Sequence, residues 1–304
     1  MTNSQSSNTH SNHSNFTTVE ESSIPSISSS AMLVELNISI WTGRKFDKQV
    51  SAEIDVQKHT LARGGNYNKR LFADEPTFDA IGKFGGNART YHYHATMPWS
   101  DSGVRLLTTP MYFDYSKTIS GMESEFYTLV NAFEQDYPNM VARAGAKLGN
   151  LFNQTDYPEV QAIQDKFRFS VRYSPVPDVG DWRVDINSEA QQLLKESYAS
   201  AYSTNLEQAY ADVWQRTHEA LKNMSTKLSG NDKQIFRDTL VSNVTEMVDL
   251  LDKFNITGDK KMREAKVRIQ NALLGVTPDA LREDADFRLD TKSKVDTLLR
   301  DFSW

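Results

Sequence analysis

Two histidines two positions apart, in Tyr91-His92-Tyr93-His94, form the most unusual local run in the chain. Projecting from one face of a strand, both could ligate a metal ion. No carboxylate or third histidine stands at a recognisable spacing, and Asp101 and Asp114 would reach them only through the fold. The plainer reading is a half-buried aromatic segment with polar tips. His10, His13 and His218 read as a tail or a helix surface, so the sequence specifies no metal site and no cofactor.

Phosphate contact is the second chemistry available. Arg63, Lys69, Arg70, Lys83 and Arg89 interleave with Tyr67, Phe72, Tyr91 and Tyr93. Lys166, Arg168 and Arg172 alternate with Phe167, Phe169 and Val171, which places them on one face of a strand. A cationic face with nearby rings could hold a single nucleic-acid strand by phosphate contact and base stacking. Lys260, Lys261 and Arg263, with Lys266 and Arg268, form another cluster, diluted by Asp259 and Glu264. The candidates for nucleic-acid contact are therefore Arg89, Lys166, Arg168, Arg172, Lys260, Lys261 and Arg263. Their plainer reading is the ordinary covering of an exposed face.

Catalytic patterns are missing. There is no Gly-x-x-x-x-Gly-Lys-Ser/Thr, no Gly-x-Gly-x-x-Gly after a strand and no Gly-x-Ser-x-Gly elbow. The glycines of 80–86 lack the preceding strand. Glu123, Glu125 and Asp136 read as solvated helix faces. No catalytic residue is named.

The elements that must position these side chains belong to a chain of 304 residues with 34 Lys+Arg, 40 Asp+Glu and no cysteine. The length suits one large domain or two ordinary ones. Without cysteine there are no disulfides, thiolate chemistry or Cys-based metal sites. A net charge of -6 excludes a globally basic coat for nucleic acid but leaves local basic patches open. Residues 1–31 are rich in Ser, Thr and Asn and lack the basic and apolar regions of a secretory signal. They are expected to be disordered, because so polar a stretch buries too little apolar surface to offset its ordering entropy. No apolar run approaches a membrane span, so the expected compartment is the cytoplasm and no membrane partner is expected.

Order is expected from Met32. Val34, Leu36, Ile38 and Ile40 alternate with polar neighbours and predict a half-buried strand. Phe46, Val50 and Ile54 predict a short helix; residues 70–97 predict two more, separated at Gly85-Gly86. Pro98 to Gly103 predicts a turn, and 104–107 a strand. Ser120-x-x-Glu123 reads as a capping box opening a helix that bends or stops at Tyr137-Pro138. Phe167 to Tyr173 alternates as a strand and pairs, across a Pro/Gly loop, with Trp182, Val184 and Ile186.

The pattern changes at Ser188. Leu194, Tyr198, Ala201, Leu206, Ala209, Val213, Thr217, Leu221, Met224 and Leu228 predict one long amphipathic helix ending at Gly230. A second helix through Phe236, Leu240, Val244, Val248 and Leu251 returns along it. Shorter helices follow, one opened by Thr277-Pro278. The expected fold is α+β: a small antiparallel sheet with helices, then a long antiparallel helical hairpin and short C-terminal helices. The expected divisions are 1–31 (tail), 32–187 (α+β) and 188–304 (helical).

Met97-Pro-Trp-Ser-Asp-Ser-Gly-Val-Arg-Leu-Leu107, Tyr112-Phe-Asp-Tyr115, Phe133-x-x-x-Tyr137-Pro138, Asp156-Tyr-Pro158 and Pro175-Val-Pro177 occur in that order. Together they resemble a domain-of-unknown-function family of bacteriophages and mobile elements, over about Met32 to Leu274. The motif loop is Pro98, Trp99, Asp101, Gly103 and Arg105. Its structural reading is a turn anchored by Trp99, with Asp101 accepting backbone hydrogen bonds and Arg105 pairing with a carboxylate. The alternative is a binding loop presenting Trp99 and Arg105.

Genes of the family often lie beside a MoxR-type, cobaltochelatase-like AAA ATPase. The resemblance therefore implies a phage-encoded accessory protein in the host cytoplasm, an adaptor of such an ATPase; the long amphipathic hairpin and the missing catalytic patterns predict a non-enzymatic interaction protein that docks a partner or self-associates. The alternative is a single-stranded DNA-binding accessory in phage DNA metabolism. An enzyme with a histidine metal site is the third reading.

Overall fold

A computed structural model describes residues 26–177, 188–229 and 239–302. Order begins earlier than expected: 28–30 form a turn, and Ile27 is buried with its amide donating to the Tyr202 hydroxyl. An isoleucine that fills a core position supplies the apolar surface the polar tail lacks. Residues 1–25 lie outside the described residues, as do Trp182, Val184, Ile186, Gly230 and Phe236.

The elements run β1 (Ala31–Ser39), β2 (Arg44–Phe46), α1 (Lys48–Gln57), β3 (Asn68–Arg70), α2 (Pro76–Ala95), β4 (Met97–Pro98), β5 (Arg105–Thr108) and α3 (Tyr112–Leu148). Then come α4 (Val160–Gln164), β6 (Arg168–Pro175), α5 (Ser188–Leu228), α6 (Thr239–Phe254), α7 (Lys260–Ala272), α8 (Pro278–Glu283) and α9 (Ala285–Asp301). The antiparallel sheet has the order β4-β5-β1-β6. The α+β architecture is as expected, with a small sheet first and helices after.

Register explains the two faces of this sheet. Val34, Leu36 and Ile38 stand opposite Tyr173, Val171 and Phe169, and α2 and α3 cover this apolar side. Glu35, Asn37 and Ser39 stand opposite Arg172, Ser170 and Arg168 on the polar side. Below the apolar face Phe72 is the hub of an aromatic core, with Phe78, Trp41, Phe133, Tyr137 and Tyr157 at centroid distances of 5.0 to 5.7 Å.

Several local expectations are corrected. Residues 76–95 form one helix, not two. Gly85 does not break it: a Cβ there would lie 2.5 Å from Ile40 Cδ1, so the glycine lets the helix approach β1 closely. Ser120 opens no helix, because α3 already starts at Tyr112; the Ser120 carbonyl accepts from Ser124 Oγ in mid-helix. Nor does Pro138 end it. Flanking turns packed through Phe133, Tyr137, Met140 and Val141 hold the helical path despite the missing N–H. Phe46 lies in a strand; the helix behind it starts at Lys48, capped by Asp47 accepting from the Val50 amide.

The helical half is a packed bundle. α5 begins at Ser188 and, with 41 residues, extends about 60 Å. Its buried stripe passes through Tyr202, Leu206, Ala209, Val213, Thr217, Leu221 and Met224, whereas Ala201 is exposed. α5 packs against α6, α9 and β4, and α7 against α6 and α9. The long helix thus lies on the sheet half instead of projecting from it. Thr277 caps α8 as expected, accepting from the Ala280 amide.

Candidate nucleic-acid interface

At the end of β1 the chain leaves the sheet through Ile40, Trp41 and Thr42, opposite the Lys83 face of α2. A surface groove of about 780 Å³ lies there, lined by Trp41, Arg44, Phe78, Lys83 and Arg89 and by one carboxylate, Asp79, among others. Gly82 forms part of its wall with no neighbour within 4 Å of where a Cβ would stand, which keeps the groove open.

Cations gather around it. Arg89 Nη2 donates to the Ile38 carbonyl at 2.7 Å, which fixes its guanidinium beside the groove. Lys166 Nζ sits 6.0 Å from the Trp41 ring centroid, a cation–π approach. Arg168 stands opposite Ser39, the residue at the end of β1. Arg44 faces Arg70 directly across the β2–β3 ribbon. Like charges directly opposite in a ladder are unfavourable by several tenths of a kcal/mol. Arg70 is tempered by Asp79 at 3.7 Å, but Arg44, Lys83 and Arg168 are exposed and have no ion-pair partner among the described residues. A retained like-charge pair beside unpaired cations and a half-exposed tryptophan makes a local positive field that attracts anions on an acidic protein.

The next position of the ribbon shows the opposite solution. Lys45 faces Lys69, but Lys69 is turned inward, its side chain 7% exposed. It meets Asp156 at 2.7 Å, Asp47 at 3.1 Å and the Leu151 carbonyl at 2.8 Å. Burial opposes its charge, but the two carboxylates win and raise its pKa. Lys69 is structural; Arg44 and Arg70 remain at the surface.

The other basic candidates separate. Arg172 lies on the same polar sheet face as Arg168, with Glu35 at 3.8 Å. Lys260, Lys261 and Arg263 are exposed on the first turn of α7, in the helical half and not beside the groove. Of the candidates, Arg89 lines the groove and Lys166 approaches its Trp41 wall, whereas Arg168 stands with Arg172 on the polar sheet face; Arg44, Lys83 and Trp41 complete the cationic and aromatic lining.

Neither motif loop nor histidine pair forms a second site. Comparison with protein-family models, curated proteins and solved structures finds no match. The functional reading therefore rests on this chain's own geometry.

Trp99 is buried edge-on against Tyr202 of α5 at 5.5 Å, and Gly103 takes φ +90 to turn the chain back. Pro98 lies in β4, opposite Arg105. Asp101 is exposed and accepts no hydrogen bond from the described residues; the turn closes instead through Ser100, whose amide donates to the Val104 carbonyl. Among the described residues Arg105 meets no carboxylate. It caps the C-terminus of α2, donating from Nη2 to the Thr96 carbonyl at 2.9 Å and from Nε to Thr96 Oγ1 at 2.7 Å. Arg216 of α5 donates to the same carbonyl at 2.9 Å and to that of His94 at 3.1 Å, while paired with Asp212. Two guanidiniums thus answer the negative end of α2 and tie the long helix to the sheet half.

His92 and His94 lie on α2 and not on a strand, so positions two apart point to different sides. His92 is buried, with Nδ1 2.8 Å from the Tyr115 hydroxyl, while His94 is exposed. Burial, helped by Arg105, pushes the His92 pKa down to about 4. Among the described residues no group of three His, Asp or Glu side chains is placed to hold a metal ion, and no helix is long and apolar enough to cross a membrane.

Proposed function

We propose that this chain is a non-enzymatic accessory protein that binds single-stranded nucleic acid in the groove beside Trp41. The observation that carries the reading is one groove lined by Arg44, Lys83 and Arg89 together with Trp41, whose ring Lys166 also approaches. Cations neutralise phosphates whatever the sequence, and a ring stacks any base. An acidic peptide would use the cations but leave the rings idle, so the aromatics favour nucleic acid. The buried histidine, the residue type most suited to proton transfer, faces Tyr115 and the core, where it serves the fold.

Fluorescence anisotropy with labelled oligo-dT, duplex DNA and poly-glutamate across a salt series tests this. Expected is preference for the single strand, with log K falling against log salt by about 0.7 per phosphate contacted. Arg44→Ala/Lys83→Ala alters two exposed side chains of the groove lining, so folding should persist while affinity falls about tenfold and the salt slope flattens by roughly 1.4. No binding at low salt, or equal binding of poly-glutamate, would overturn the reading.

A second reading, the adaptor of a MoxR-type AAA ATPase suggested by the resemblance, draws on one observation. Near the start of α5, Leu193 is 63% exposed and Leu194 38%. Co-purification with such an ATPase should be lost in Leu193→Asp/Leu194→Asp; association unchanged by that variant would remove this route.

A further inference from the structure

The groove does not end at Arg44. Residues two apart on a strand share a face, so Arg44 and Phe46 of β2 project to the same side of the ribbon. Phe46 is 40% exposed, with the Arg63 guanidinium 5.8 Å from its ring centroid. Trp41 carries Lys166 in the same manner at 6.0 Å. The surface therefore holds two ring-and-cation units, Trp41 with Lys166 and Phe46 with Arg63. Between them lies the like-charge pair Arg44 and Arg70. Asp47, the acid next to Phe46, is turned inward to Lys69 and does not interrupt the track. The exposed Lys48 follows it at the start of α1.

We infer that Phe46 and Arg63 form a second base-stacking platform. One nucleic-acid strand would run from Trp41 across Arg44 and Arg70 onto Phe46. The inference rests on the groove reading and specifies its ligand: a flexible single strand long enough to cover both rings. Five chain positions separate the rings, a path of at most about 17 Å. A rigid duplex keeps its bases stacked inside and cannot use either platform. No such role follows from packing, since an exposed phenylalanine on a three-residue strand contributes little to a core.

The test is the full chain binding oligo-dT of about 4 and about 16 nucleotides. The long oligomer should bind more tightly to the wild type. Phe46→Ala should weaken the long oligomer about tenfold and erase most of the length dependence, and Phe46→Trp should restore it. Arg63→Ala should act in the same direction. If Phe46→Ala and Arg63→Ala bind the long oligomer like wild type while Arg44→Ala/Lys83→Ala still weakens it, the second platform is wrong and the groove stands. If the wild type binds neither oligomer, the groove reading itself has failed. Weakening by Phe46→Ala that Phe46→Trp does not repair would mark a loss of fold rather than of stacking, and would also overturn the platform.

Discussion

Lowering the pH from 7 to 4 should remove about 3 kcal/mol of stability through one side chain, His92. The imidazole is buried at 3% exposure, and its pKa falls from 6.5 to about 4. A depressed histidine folds best when neutral. Its contribution is whole above the unfolded value of 6.5 and is lost as pH falls through that value toward 4. Above 6.5 neither state binds the proton; below it the unfolded chain does and the folded chain does not.

The groups around His92 explain why protonation is resisted. Tyr115 of α3 shares the 2.8 Å hydrogen bond, and its phenol is itself held neutral by burial. Arg105 of β5 adds a like charge. His94 shifts in the same direction, from burial and then Arg216, but it is exposed and contributes less. Asp47, Glu75, Asp136 and Asp296 have lowered pKa values, so their contributions are present above the unfolded carboxylate values and lost below them, chiefly under pH 4. Between pH 6.5 and 4.5 His92 therefore dominates. Thermal unfolding across that window should show the steep acid slope in wild type and a flatter one in His92→Gln, whose amide can still meet Tyr115. Superimposable profiles would sink the assignment.

The fold was legible where one physical rule governs a long stretch. Alternation placed β1 and β6, because one face of each is covered more than the other. Spacing placed α5, because 41 residues of one stripe average out local exceptions such as Ala201. Rules failed where tertiary packing outweighs a local signal. Gly85 reads as a break but is a close approach to Ile40, and Ser120 with Glu123 satisfies a capping pattern in the middle of a helix. β2 and β3, at three residues each, are too short to show a period, so Phe46 was assigned to a helix.

The candidate site divides in the same way. Arg89, Lys166 and Arg168 were identifiable as basic residues among aromatics. That Arg89 of α2 and Lys166, in the turn before β6, both come to the Trp41 corner depends on tertiary packing, which no linear spacing encodes. Arg70 and Lys83 stand in the same basic-and-aromatic run; the signal that could have found Arg44 is its like charge opposite Arg70, visible only once the β2–β3 register is known.

Phe72→Ala should be the most damaging single substitution, destabilising by about 3–5 kcal/mol. Phe72 is 2% exposed and touches five other rings, edge-on with Trp41 at 5.4 Å, Phe133 at 5.6 Å and Tyr157 at 5.7 Å. Alanine removes the ring from a closed aromatic set, and neighbours of that size cannot collapse into the space without leaving their rotamers. Trp41 forms one wall of the resulting cavity and also lines the groove. The variant should therefore lose affinity for oligo-dT even at temperatures where it remains folded. Phe126→Ala supplies the comparison: Phe126 is fully buried and packs on Phe169, on the α3 side of the sheet, and is not part of the groove lining. Its loss should lower the urea midpoint by a similar amount and leave oligo-dT binding unchanged. Equal loss of binding in both variants would show that affinity follows global stability, and would remove Phe72 as the support of the Trp41 platform.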